Sequence, residues 1–389
     1  MNQVGKTVVS SLFGPRQQVG VNRGVAEFNA RRPVLISGRR DLLLALPVEG
    51  LDAQRLAEFV VLCAPAVPRL VVTKRRALAL GFNASSPVAM GLDGAFDVVT
   101  IFALVTDIKI NRPVDAVAAG PAAAAAIELV KLSHGLPAVL VADVEMGSAI
   151  TSDRNIVTVD AAAVADFRDD MVQSLTIASR ASVPLNSGAR ADFVIFRDAM
   201  GGTQAAIIVG DPDFAKPVLV RLHSACLTGD VFGSRRCDCG DQLQLALKRL
   251  EETSGGGIVL YLAQEGRGLG LANKMRTYQM QDDGLDTVDA NTTLGFDDDE
   301  RDYGVAARML QMLGCHSVVL LTNNPAKLNG LARSSIEIAG RMPLEAPINA
   351  DNRRYLTAKA ARAGHQLNHL LASLAEPSDA EKDVAPLAP

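Results

Sequence analysis

Three of the chain's five cysteines crowd into one short segment, C-L-T-G-D-V-F-G-S-R-R-C-D-C-G from Cys226 to Gly240, and that crowding restricts the fold more than any other feature. Side chains two apart on an extended backbone point to one side, so Cys237 and Cys239 can converge on a single ion while Cys226 returns across a loop. A structural zinc takes four protein ligands, whereas a catalytic zinc keeps one position for water, whose pKa it lowers towards ~7. No fourth cysteine lies nearby, and His223, three residues before Cys226, can close the site and make it structural. The competing reading is a set of reduced core cysteines. Flanking Arg235, Arg236 and Asp238 are too polar a context for it.

At 389 residues the chain is long for one core and comfortable for two. A formal charge of -4 gives no general electrostatic reason to bind nucleic acid, so an anion has to be held by local arginines and backbone groups. No apolar run approaches the ~18 residues of a membrane span, and the N-terminus lacks a basic-then-apolar signal pattern. A cytoplasmic protein with no membrane and no nucleic-acid partner is expected. The cysteine usage suits a reducing compartment rather than a disulfide framework.

The first half alternates helix and strand patterns after a polar lead of ~30 residues with weak periodicity. Pro33–Ile36, Arg69–Thr73 and Ala138–Ala142 read as strands. Ala53–Cys63 reads as a helix with Leu56, Phe59, Val60 and Cys63 on one face; Ala122–Leu132 and Asp160–Arg168 read as two more, with Asp160 as N-cap. Its one histidine, His134, and one cysteine, Cys63, sit in no cluster. Ser179–Arg190 is polar and Gly/Pro-containing and looks like a domain junction. Strands Ala191–Phe196, Gln204–Val209 and Val218–His223 then lead into the cysteines. The expected layout is a two-domain α/β (α+β) chain, 1–175 and 176–372, with a disordered tail at 373–389.

Beyond the cysteines, Leu243, Ala246, Leu247 and Leu250 recur at helical spacing, which puts Gln242 in the first turn of a helix packed behind the metal loop. Strand Ile258–Leu262 ends in Q-E-G-R-G-L-G-L-A-N-K, a Gly-rich turn opening a helix and able to bring backbone N–H groups and Arg267 to a phosphate. A second such turn follows Ser317–Thr322, with Asn324 as N-cap, Pro325 at the first helical position and Lys327 just inside. Between them Arg301 is embedded among Asp297, Asp298, Asp299, Glu300 and Asp302, as a positioned clamp or as a nucleophile, the carboxylates serving as proton acceptor or as magnesium ligands.

Five motifs now occur in order: H-S-x-C-L-T-G-D-x-F-x-S-x-R-C-D-C-G, Q-E-G-R, D-T-V-x-A-N, D-E-R-D and L-T-N-N-P-x-K. Together, over roughly Arg180–Leu370, they resemble GTP cyclohydrolase II of riboflavin biosynthesis. The resemblance implies one zinc per subunit on Cys226, Cys237 and Cys239. It also implies GTP contacts from Arg221, Leu222, His223, Ser224, Ala225, Gln242, Glu265, Gly266, Arg267, Thr287, Thr322 and Lys327. Asp299 becomes the proton acceptor, Arg301 the nucleophile and Tyr278 a helper at the base. Magnesium would travel with the triphosphate, and the subunits would form a homodimer. The implied products are formate, pyrophosphate and 2,5-diamino-6-(5-phospho-D-ribosylamino)pyrimidin-4(3H)-one. Two positions depart from the family pattern: Ala225, where Glu is usual, and Ala263, where a basic or polar residue is common.

The first half resembles a distant copy of 3,4-dihydroxy-2-butanone 4-phosphate synthase, through R-P-V-L-I-S-G-R-R-D and the helix and strand at 122–144. Ser37, Gly38, Arg39 and Arg40 stand where that enzyme has its acidic metal loop, so this domain is expected to be non-catalytic. Two further readings compete: a paralogue acting on another nucleotide, such as UMP in uracil breakdown, motivated by Ala225; and a non-catalytic, zinc-stabilised nucleotide-binding protein, against which Asp299 and Arg301 speak.

Overall fold

Residues 14–91, 97–110 and 115–362 are described by the computed structural model, and the tail expected to be disordered, 373–389, lies outside them. Helix α1 (Arg16–Asn29) precedes a hairpin of β1 (Val34–Ser37) and β2 (Leu42–Pro47), followed by α2 (Ala53–Cys63), β3 (Arg69–Val72), α3 (Lys74–Ala79), β4 (Val88–Gly91) and α4 (Val98–Thr106). Then come β5 (Ala116–Ala118), α5 (Pro121–Leu132), β6 (Ala138–Asp143), α6 (Ala149–Ser152), β7 (Val157–Asp160) and α7 (Ala161–Gln173). These strands form one sheet, β5-β4-β3-β6-β2-β1-β7, antiparallel except where β1 lies beside β7.

Successive residues of a strand face opposite sides. Leu44, Leu70, Met90 and Leu140 therefore join one buried cluster, with Phe59 and Cys63 of α2 and Ile101 and Leu104 of α4, while Ile36, Ala45, Val71, Val141 and Val159 join another with α1, α5 and α7. Covered on both faces, the strands read as near-continuous apolar runs such as A-V-L-V-A, as buried strands must. Asp160 caps α7 by accepting from the Ala162 amide at 2.9 Å, as its position predicts.

The second sheet holds β8 (Thr176–Pro184), β9 (Arg190–Arg197), β10 (Thr203–Val209), β11 (Val218–Ser224), β12 (Gly257–Leu262), β13 (Ser317–Leu321) and β14 (Glu337–Met342), in the order β14-β13-β11-β12-β10-β9-β8. The remaining helices, in chain order, are α8 (Cys239–Glu252), α9 (Leu271–Asp282), α10 (Thr287–Leu294), α11 (Gly304–Leu313), α12 (Pro325–Arg333) and α13 (Arg353–Arg362). Ala246 and Leu250 of α8 bury against Leu219 of β11 and Val259 of β12, the face its spacing predicts. The mixed α/β class with two sheets is thus as expected.

Two stretches differ from their sequence reading. The polar lead contains α1, which buries Val21, Val25 and Phe28 at i, i+4, i+7 behind a surface of Arg, Gln and Asn that dilutes the signal. The supposed junction carries β8, an edge strand whose residues are almost all exposed, closed by a turn in which the Leu185 amide donates to Ala189 O at 2.7 Å. An exposed edge has no apolar alternation to read.

The chain also divides otherwise than at 175/176. One compact unit comprises Met1–Ser179, Ile195–Gln204 and Ala263–Met309 as far as they are described; the other comprises Arg180–Val194, Ala205–Leu262 and Leu310–Pro389 on the same condition. The cause is hydrophobic. Leu269, Met280, Ala290, Leu294 and Phe296 lie in the same cluster as Leu70 and Leu140. Arg76, 1% exposed, donates to the carbonyls of Ala103, Leu104, Asp107 and Thr293. Thr73 Oγ1 donates to Gly295 O at 2.6 Å, where Gly295 ends α10 at φ 103°, a conformation that favours glycine. Phe296→Ala should accordingly cost roughly 3–5 kcal/mol and lower the urea midpoint of the first unit, followed by circular dichroism. An unchanged midpoint would remove Phe296 from that core.

Candidate active site

In the second unit, β11 delivers the chain into the cysteine segment, and one wide helical turn, Leu227–Val231, folds it back. Turns of this π type recur at functional sites because they re-aim a few side chains. Here the Sγ atoms of Cys226, Cys237 and Cys239 all lie within 4.8 Å of one another, with Cys226 and Cys237 3.7 Å apart. Gly229 permits this: a Cβ there would stand 3.0 Å from Cys237 Sγ and 3.1 Å from Cys226 Sγ. The Cys237 thiol is pushed up to about 11, first by the neighbouring Cys226 sulfur, with burial adding and Cys239 opposing. Thiols so close resist ionising together unless a cation takes the charge. Three soft donors on one centre fit a thiophilic divalent ion.

The sequence left open whether His223 completes that set. Its Nε2 instead faces the Asp230 carboxylate, 3.0 and 3.1 Å from the two oxygens, and its ring stacks on Tyr261. Asp230 Oδ2 also accepts from the Cys226 amide and the Tyr261 hydroxyl, 2.9 Å each, so it ties the first cysteine to the sheet. Burial above all, and the charges of Arg221 and Lys327, hold the His223 ring below its ordinary pKa against the pull of Asp230. Among the described residues the ligand group contains the three cysteines and no fourth side chain. That is the donor count of a catalytic rather than a structural site.

The other second-unit residues gather at the carboxyl ends of parallel strands. β12 pairs with β11 on one side and β13 pairs with it on the other, so the strand order reverses at β11. Open α/β sheets bind ligands outside that point. Arg221, 5% exposed, donates through Nη1 to Leu321 O at 2.9 Å and through Nη2 to Gln242 Oε1. Gln242 is held in turn by Asp238, so the first-turn glutamine meets the strand end as its spacing predicts. Lys327 Nζ donates to Leu222 O at 2.7 Å. Thr322 Oγ1 accepts from the Asn324 amide, and Asn324 caps α12. Ser224 pairs opposite Leu262, and the Ala225 amide donates to Leu262 O at 2.8 Å.

In the first unit, the turn after β12 sets Gly266 at φ 60° and Arg267 at φ 63°; for arginine that is a strained backbone. Glu265 accepts from Lys274 Nζ at 2.8 Å, and Arg267 Nη1 donates to Asp298 O at 3.1 Å. Lys274 Nζ also stands 5.6 Å from the centre of the Tyr278 ring. Thr287 opens α10 behind its cap Asp286. Arg301 grips Asp299 with two bonds of 2.7 Å, from Nε and Nη2, and the Tyr303 hydroxyl donates to the same carboxylate at 3.1 Å. Burial works to raise the Asp299 pKa, but Arg301 and then Arg267 outweigh it and hold it below the carboxylate range. Asp230, Lys274 and Tyr303 received no role from the sequence, because their partners lie four to 31 residues away along folded turns.

His223→Gln should keep bound metal, because its ring serves Asp230, whereas Cys239→Ser should lose it. Metal analysis of the two purified variants checks this, and loss of metal from both would return His223 to the ligand set.

The motifs have counterparts among known proteins. The family model described as GTP cyclohydrolase II matches residues 176–343. A protein named GTP cyclohydrolase-2 from Azospirillum brasilense is 42% identical over 314 residues, covering 77% of this chain and 81% of that relative. Another of the same name, from Xylella fastidiosa, is 36% identical over 368 residues, covering 92% and 89%. The riboflavin biosynthesis protein RibBA of Bacillus mycoides is 54% identical over 163 residues, covering 42% of this chain and 41% of its own length. Likeness to the two cyclohydrolases therefore runs well beyond the shared module, and this chain belongs to the GTP cyclohydrolase II family, hydrolases of riboflavin biosynthesis.

Proposed function

We propose that the chain is a zinc-dependent enzyme converting GTP to 2,5-diamino-6-(5-phospho-D-ribosylamino)pyrimidin-4(3H)-one, with release of formate and pyrophosphate. The observation that carries this is the group of three sulfurs from which His223 turns away. Cys226, Cys237 and Cys239 would hold one zinc per subunit; when bound, it supplies Lewis acidity and lowers the pKa of water within reach towards ~7.

The chain's own residues would bind, orient and move protons. Arg221, fixed by Leu321 O and Gln242, and Lys327, fixed by Leu222 O, supply positive charge that does not have to reorganise when an anionic substrate arrives. Leu222 to Ala225 and Thr322 would line the nucleotide alongside them. Glu265, Gly266 and Arg267 would offer backbone N–H groups and a guanidinium to phosphate, with Thr287 and Tyr278 as further contacts and magnesium accompanying the triphosphate. For Arg301 to act as a nucleophile one of its nitrogens must shed a proton, and Asp299, already bonded to Nε and Nη2, is the acceptor at hand. Because the Asp299 pKa is depressed, its pairing energy is fully present above the ordinary carboxylate value near ~3.9 and is lost only as pH falls through the lower folded value. The carboxylate is therefore ionised across the neutral range.

Residues 176–372 would carry this reaction in a cytoplasmic homodimer. We take residues 1–175 as a non-catalytic relative of 3,4-dihydroxy-2-butanone 4-phosphate synthase. Gly38 to Asp41 form the short connection between β1 and β2, and the Asp41 carboxylate accepts from the Ala122 amide at the start of α5 at 3.4 Å.

Purified protein given GTP and magnesium should release formate and the pyrimidine. Cys237→Ser should lack metal and fall by at least about 100-fold. A nucleotide panel in which UMP is consumed and GTP left untouched would replace this reading with a paralogue's.

A further inference from the structure

The loop that bears Asp299 and Arg301 is fastened to elements from the first 175 residues, inside one compact unit. Three cations reach it or the segment before it. Lys131, in the last turn of α5, donates from Nζ to Glu300 Oε1 at 2.7 Å, its side chain 9% exposed and that of Glu300 12%. Arg75 Nε donates to Asp297 Oδ1 at 2.6 Å, and Arg76 Nη1 to Thr293 O at 3.0 Å.

The Lys131 tie leads to Glu300, which makes two further bonds at the loop. The same Oε1 that receives Lys131 accepts from the Asp297 amide at 2.9 Å, and the Glu300 amide donates to Arg267 O at 3.0 Å. Arg267 closes the ring by donating to Asp298 O. The backbone before Asp299 is thereby held by the Glu300 carboxylate and that after it by the Glu300 amide, and the carboxylate itself is bonded to the Lys131 ammonium. Exposed ion pairs contribute little to stability, but this one is largely withdrawn from water, so loss of Lys131 removes the ammonium bonded to a largely buried Glu300 carboxylate and gives that carboxylate a reason to turn outward.

We propose that Lys131 is a positioning residue for the Asp299–Arg301 pair, so that the first domain, whatever its own catalytic state, serves the second domain's reaction by holding that loop. The proposal rests on the functional reading above for its kinetic consequence, but not for its structural one. A misplacement of ~1 Å in a reacting group can cost about 100-fold in rate.

Lys131→Met should lower kcat for formate release roughly 10- to 100-fold with KM for GTP changed far less, metal content intact, and Lys131→Arg restoring most of the rate. Hydrogen exchange read on the same full-length variants should show faster exchange at the amides of Asp297, Glu300 and Arg301 in Lys131→Met. Unchanged exchange at those amides would overturn the proposal, as would a kcat equal to wild type in an active enzyme, or a rate loss that tracks loss of metal or global unfolding. Should wild type itself release no formate, the cyclohydrolase reading fails, and the exchange measurement still decides whether Lys131 holds the loop.

Discussion

Three sulfurs within 4.8 Å of one another are an electrostatic problem that the surrounding structure is built to hold in place. Protonated, they crowd; ionised, they repel unless a cation shares them. The chain accepts the crowding through two glycines. Gly229 leaves room beside Cys226 and Cys237, and a Cβ on Gly240 would fall 2.4 Å from Gly229 O. Asp230 then pins the Cys226 amide, His223 and Tyr261 to one carboxylate. The histidine that could have been a ligand is thus committed to supporting the loop that carries one.

Around that centre, charge is fixed in advance by backbone carbonyls. Arg221 and Lys327 are both buried, and each is anchored by the carbonyl of a strand residue, Leu321 and Leu222. Both cations are thereby held in one orientation by the sheet itself. The position of these groups follows from parallel pairing on both sides of β11, where the strand order reverses, the point at which open α/β sheets bind ligands.

The first unit solves a different problem. A polar, acidic loop rarely keeps one conformation unless its charges are paired and its flanks are packed. Phe296 and Leu294 supply the packing, buried with Leu70 and Leu140, and Arg75, Lys131 and Arg76 supply the pairing. The first 175 residues thus share a core with helices distant in sequence, which is why a boundary drawn from composition near residue 176 does not coincide with a boundary drawn from packing.

The sequence by itself determined the local features whose causes are local. The helix Ala53–Cys63, the caps Asp160 and Asn324, the amphipathic face of α8 and the cysteine spacing all follow from periodicity, capping chemistry and side-chain direction within a few residues. The exposed edge strand β8 and the diluted helix α1 escaped the same rules, because their side chains carry too little apolar contrast. Only the tertiary structure decided that His223 serves Asp230, and that Lys131 and Glu300, 169 residues apart, meet at the loop of Asp299 and Arg301. Ion pairs and shared cores across such separations leave no periodic trace, since the partner is selected by how sheets and helices pack and not by its neighbours along the chain.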